Sequence, residues 1–294
     1  FLFNEDFPGG FTPRFGADTV DASFVAGVRG TLDNGLGYDV SGSFGYNDSD
    51  FFIYNTVNAS LGPNTPTNFD PGDYTQTEYN VNADFSYPIA VDMFASDLNI
   101  AGGFEYRSEE FEITAGDEES FNFGPLAEQG FSAASNGFPG FSALIAGDWD
   151  RSNTAAYIDL ETDVLENWLV GVAARWEDYD DFGSTLNYKV STHLQVLDTL
   201  GLRGTFSTGF RAPTPGQANA FNVSTEFDND VGQLVNRGVV PPTNPISQTR
   251  GGTDLEEEES TNWTLGAVWQ WEALSVTFDY YNIEVDDRIS LSQD

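Results

Sequence analysis

The stretch EYNVNADFSY, residues 78–87, alternates without a break. A strand reverses its side chains at every residue, so Tyr79, Val81, Ala83, Phe85 and Tyr87 share one face and Glu78, Asn80, Asn82, Asp84 and Ser86 the other. What each face looks at decides the fold. In a soluble sandwich the apolar face is buried in protein and the polar face meets water. In a transmembrane barrel the apolar face meets lipid and the polar face lines the lumen.

The pattern recurs along the chain. Alternation predicts about ten strands, over 24–32, 38–47, 78–87, 98–107, 156–161, 168–177, 186–195, 202–210, 263–271 and 274–280. Most lie near the roughly 9–11 residues that cross a bilayer, above the globular mode of about 5–6. The connections alternate in length. Residues 33–36, 165–167, 197–200 and 272–273 are tight turns and 88–96 a moderate one, whereas 50–76, 114–153 and 211–258 are long, with 179–183 short on that side. One short end and one long end is the layout of an outer-membrane barrel, and structureless loops of such length are uncommon in compact soluble domains.

Composition narrows the function classes. The net charge is −36, from 47 acids against 11 bases. Nucleic-acid binding is excluded, since tracking phosphates needs clustered Lys and Arg. Docking on anionic inner-leaflet lipid is disfavoured for the same reason. Aromatic residues make up 15% of the chain, which together with the alternation argues against disorder. With no Cys and one His, zinc sites, Ser-His triads and Cys nucleophiles are not expected. Neighbouring acids such as Glu109 and Glu110, or Asp180 and Asp181, face opposite ways on a strand and cannot converge for glycosidase chemistry. No catalytic residue, cofactor or metal is therefore expected. EFDNDVGQ, residues 226–233, spaces oxygen ligands without the EF-hand order, and calcium at the acidic loops stays open. FLFNEDFPGG has no basic region ahead of an apolar stretch, so no signal peptide is expected here, and no run reaches the roughly 18–20 apolar residues of a membrane helix.

Arg29, Arg107, Arg175, Lys189, Arg203 and Arg211 continue the polar phase of strands, and none of the 11 bases falls in the apolar phase. A sandwich would show the same avoidance. Tyr46, Tyr87, Tyr106, Trp168, Trp176 and Trp271 stand at strand ends, which suits an interfacial girdle better than a sandwich rim.

At STGFRAPTPGQ, residues 207–217, a strand ends in Phe-Arg-Ala-Pro before a long loop, followed by LEEEESTNWTLGAVWQW and VTFDYYNIEVDDRI. This order resembles the late barrel of TonB-dependent outer-membrane receptors, as do EYRSEEFEITAG at 105–116, GFPGFS at 137–142 and RSNTAAYIDLETDV at 151–164. The resemblance covers nearly the whole chain. It implies an all-β, antiparallel transmembrane barrel, of which residues 1–294 are expected to supply about ten of 22 strands. The plug, the TonB box and the closing C-terminal strands are expected to lie outside these residues. The implied function is active uptake of a scarce nutrient such as a ferric siderophore across the Gram-negative outer membrane. The partners it implies are the TonB complex, acting through the plug, an extracellular small-molecule or oligosaccharide ligand, and outer-membrane lipid.

Cobalamin or oligosaccharide uptake, a passive porin or adhesin barrel, and a secreted glycan-binding sandwich are the competing readings. Phe131, Phe138, Phe141, Trp149, Arg151 and Arg211 are the candidate ligand-binding residues, because aromatics over a barrel mouth can stack on rings. Bracing of the loop by Gly-Phe-Pro-Gly-Phe competes with that role, as an ion pair to a lumen carboxylate does for Arg211. Arg107, Arg175, Lys189 and Arg203 are the candidate plug-facing lumen residues. Cysteines at Val81 and Phe85 should report a lipid environment through a polarity-sensitive label, and cysteines at Asn82 and Asp84 should report water. The reverse result in the assembled protein would remove the barrel.

Overall fold

The structure is a computed structural model that describes residues 3–228, 230 and 232–290. Its strands are β1 (Arg14–Thr31), β2 (Gly37–Tyr54), β3 (Asn68–Ile89), β4 (Leu98–Ala115), β5 (Gly147–Leu165), β6 (Trp168–Tyr179), β7 (Gly183–Leu197), β8 (Leu200–Arg211), β9 (Asn222–Asp228), β10 (Gln233–Val239), β11 (Glu258–Trp271) and β12 (Leu274–Asp286). Ten of them form one antiparallel sheet in the order β1-β2-β3-β4-β5-β6-β7-β8-β11-β12, and β9 pairs with β10 apart from it. Every strand of the large sheet lies beside its sequence neighbour except at β8–β11, where the β9–β10 hairpin occupies the intervening loop. The ten-strand, all-β reading and the alternation of short and long ends both hold. No helix among the described residues is long and apolar enough to cross a membrane.

The strands are longer than the alternation predicts. β3 has 22 residues where 78–87 was expected, and the predicted loops 50–76 and 114–153 shrink to 55–67 and 116–146. The cause is a change of polarity partway along each strand. In β4, Phe104 and Tyr106 on one face give way to Glu110 and Glu112, while Glu105, Arg107 and Glu109 on the other give way to Phe111 and Ile113. β2 changes from Phe44 and Tyr46 to Asp48 and Asp50 on the first face, and from Ser43 and Asn47 to Phe51 and Ile53 on the second. β5 and β6 repeat the change on the first face, at Ala156 to Asp150 and at Trp176 to Asp178. An apolar/polar pattern thus stops where the strand itself continues.

Each strand of this region therefore has two storeys. On the short-turn side, the outer face is apolar and bare: Phe24 and Phe104 are each 66% exposed. The inner face there is polar. On the long-loop side, the outer face is acidic, and the inner face carries the aromatic core of Ile53, Phe69, Phe111, Ile113, Phe138 and Phe141. Tyr46, Tyr106 and Trp176 stand at the boundary, where amphipathic rings suit an interface. A sandwich would bury the apolar face instead, so the apolar face is the lipid-facing one.

The inversion predicts how a charge is tolerated on one face of one strand. Phe104→Lys should destabilise the folded protein by about 2–4 kcal/mol, whereas Glu110→Lys, six residues on along the same face, should change it by under about 1 kcal/mol. Urea titration in a lipid bilayer measures both. Equal penalties would place both positions in one environment.

Candidate functional site

The polar inner face is built as a grid across β4, β5 and β6. Pairing sets Glu105, Ala155 and Glu177 in one row, and Arg107, Asn153 and Tyr179 in the next. Glu109 and Arg151 stand opposite each other in the third. Acids and bases alternate along β4 because residues two apart share a face. Arg175 reaches over the small side chain of Ala155 to two carboxylates, with Nη2 to Glu105 Oε2 at 2.9 Å and Nε to Glu177 Oε1 at 2.6 Å. Arg107 Nη2 donates to Tyr179 Oη at 3.1 Å, and Asn153 Nδ2 to Glu177 Oε2 at 2.9 Å.

Arg151 is the most buried cation of the grid, its side chain 3% exposed. It pairs with Glu109, donates from Nη1 to the carbonyl of Pro213, and lies 5.1 Å over the ring of Tyr179. Asp181, in the β6–β7 turn, is 3.7 Å from Nη1. Partial burial raises the Asp181 carboxyl above its ordinary range, against the pull of Arg151. Arg151 therefore joins β5, β4, the β6–β7 turn and the exit from β8.

A recess of about 330 Å³ opens beside this grid, between Arg107, Arg175 and Glu177 below and Arg211, Ala212 and Thr214 above. Arg211 is exposed and stands 3.7 Å from Glu258, whose side chain is 8% exposed. The lumen carboxylate expected as its partner is thus present. Farther along the sheet, Arg203 makes two bonds to Asp279, Nε to Oδ1 at 2.9 Å and Nη2 to Oδ2 at 2.6 Å. The pair crosses β11 at Gly266, where a Cβ would collide with both side chains. Lys189 is exposed on the same face.

The aromatic candidates divide. Phe138 and Phe141 are 6% and 1% exposed, Phe138 stacked on Phe15 at 4.2 Å and Phe141 on Tyr74 at 4.8 Å. Their rings are engaged by the protein, as bracing of the loop requires. Trp149 is half-buried against Phe111, and Phe131 is partly exposed in the loop. Residues 229 and 231 of EFDNDVGQ, and the side chains of residues 226–228 and 233, lie outside the described residues. Among the described residues no group of three His, Cys, Asp or Glu could hold a metal ion. Sequence reasoning missed Glu105, Glu109, Glu177 and Tyr179 as partners of the predicted arginines. The alternation Glu105-Arg107-Glu109 was visible, but the bonds run to two other strands, 42 to 72 residues away, and depend on register.

A bare apolar outer face, a polar inner face and long loops gathered at one end define a transmembrane β-barrel wall. The chain belongs to the TonB-dependent receptor family: the model for the TonB dependent receptor-like β-barrel matches residues 3–294. Such barrels are Gram-negative outer-membrane proteins, which sets the apolar storey in lipid and the long loops outside. No curated protein sequence matches the chain. Among solved structures, the siderophore receptor PirA from Acinetobacter baumannii is similar at 14% identity and a TM-score of 0.62, over 92% of this chain and 35% of that one. A mutant ferric enterobactin receptor, PfeA, from Pseudomonas aeruginosa is similar at 12% identity and 0.61, over 91% and 35%. The RagAB peptide transporter is similar at 14% and 0.53, over 93% and 31%. At such identities the likeness is one of fold. The chain spans about a third of the length of these structures.

Because Glu109 and Arg151 are buried together, removing one should strand the other. Arg151→Met should lower stability by about 3–5 kcal/mol, and adding Glu109→Met should restore much of the loss. Urea unfolding of the full-length receptor reads both variants. An equally unstable double variant would show that the cost lies outside the pair.

Proposed function

We propose that this chain forms part of the wall and mouth of a receptor that imports a ferric siderophore, energised through TonB. The supporting observation is membership of the TonB-dependent family across residues 3–294, with siderophore receptors among the structures of like fold. The mouth is chemically suited to an anionic, ring-bearing chelate. Arg211 is exposed there, Trp149 and Phe131 keep part of their surface, and Phe138, Phe141 and Arg151 hold the frame around them. Arg107, Arg175, Lys189 and Arg203 face the space in which a plug would sit, the first two within the charge-balanced grid.

The test is uptake of radioiron by cells carrying the full-length receptor, with and without working TonB. Uptake should occur with a ferric siderophore and disappear without TonB. Uptake of peptide in place of the chelate, or uptake indifferent to TonB, would overturn the proposal.

A further inference from the structure

Residues 212–221 leave β8 and return across the inner face. The Pro213 carbonyl accepts from Arg151 of β5. Gly216 lies against the ring of Phe111 of β4, Ala220 packs on the aromatic core, and the Phe221 carbonyl accepts from Tyr74 Oη of β3 at 3.0 Å. β3 and β8 stand five places apart in the sheet, or about 24 Å at the usual strand spacing. The segment carries its own order. Following α1 (Glu118–Phe121) in the chain, α2 (Pro215–Asn219) starts with proline at its first turn and is closed by a capping box between Thr214 and Gln217.

The neighbouring loops are fastened differently. Residues 55–67 and 116–146 are sewn together by Asn58, which is fully buried and donates from Nδ2 to the carbonyls of Glu119 at 2.8 Å and Asn122 at 3.0 Å. Leu126 N bonds Ser60 O at 2.9 Å, and Asn136 N bonds Val57 O at 3.0 Å. At Gly124 a Cβ would collide with the backbone of Ser60. These two loops form one cap.

Lifting 212–221 would orphan no charge. Arg151 would keep Glu109, the ring of Tyr179 and Asp181, and Tyr74 would keep its stack on Phe141. It would open the recess that Ala212 and Thr214 help line, where Arg107 Nε is buried with no hydrogen-bond partner among the described residues. We infer that residues 212–221 are a releasable strap controlling access to this recess, with the fused loops 55–67 and 116–146 as its fixed frame. The strap is fixed to the wall by two side-chain hydrogen bonds and the burial of Pro213 and Pro215, whereas the frame is bonded along its length, so the two open with different free energies. This goes beyond the uptake reading and its test uses no ligand, so failure of either is seen separately.

Tyr74→Phe removes the bond to Phe221 and leaves the ring in place. Ala220→Cys puts a thiol under the strap in a chain that has none. In the full-length receptor, adding Tyr74→Phe to Ala220→Cys should speed reaction with a water-soluble maleimide about fivefold, the worth of one neutral hydrogen bond. Amide exchange at Leu126, Asn136 and Phe141 should not change. Should Ala220→Cys fail to assemble, exchange at Ala218 and Ala220 in Tyr74→Phe alone gives the same reading. Equal rates with and without Tyr74→Phe, or the same acceleration in strap and frame, would overturn the inference.

Discussion

The height at which a strand leaves lipid for water governs this structure. Below it, a side chain on the outer face must be apolar; above it, the same face meets water, and apolar groups gain by turning inward. β4 shows the reversal within ten residues, from Phe104 and Glu105 to Glu112 and Ile113. The upper storey is thus a water-soluble β-structure with its core on the inside of the wall. Loop 116–146 completes that core with Phe138 and Phe141, which is why so long a connection can be ordered.

The same boundary divides the charge. Inside the wall, Arg107, Arg151 and Arg175 are balanced by Glu105, Glu109 and Glu177, since a buried charge without a partner is costly. The surplus acids of the upper storey stand outside. Asp18, Asp50 and Asp73 lie opposite one another across three strands, a like-charge contact that destabilises a sheet. Exposure to solvent moderates that repulsion, because the high dielectric of water weakens the interaction of charges only a few ångströms apart.

The mouth combines two kinds of order. The frame is dense in backbone bonds and aromatic stacking, and the segment after β8 meets the wall through a few hydrogen bonds and the buried rings of Pro213 and Pro215. Arg151 connects the two, since it serves the charge-balanced grid below and the Pro213 carbonyl above.

By itself the sequence determined the strand periodicity, the ten strands of the sheet, the order of short and long connections and the exclusion of bases from the lipid-facing phase. Those properties are local, set by a period of two and by turn length. The upper storey was also written there, as a swap of polarity between Tyr106 and Glu110, but the swap looks like the end of a strand until pairing shows it continuing. Which partner each arginine takes was decided by the tertiary structure. Arg175 meets Glu105, and Arg203 meets Asp279, only because register brings strands about 70 residues apart in sequence to the same height. The burial of Phe138 and Phe141 was likewise decided by the folding of a loop onto a face whose apolar character appears only when four strands stand side by side.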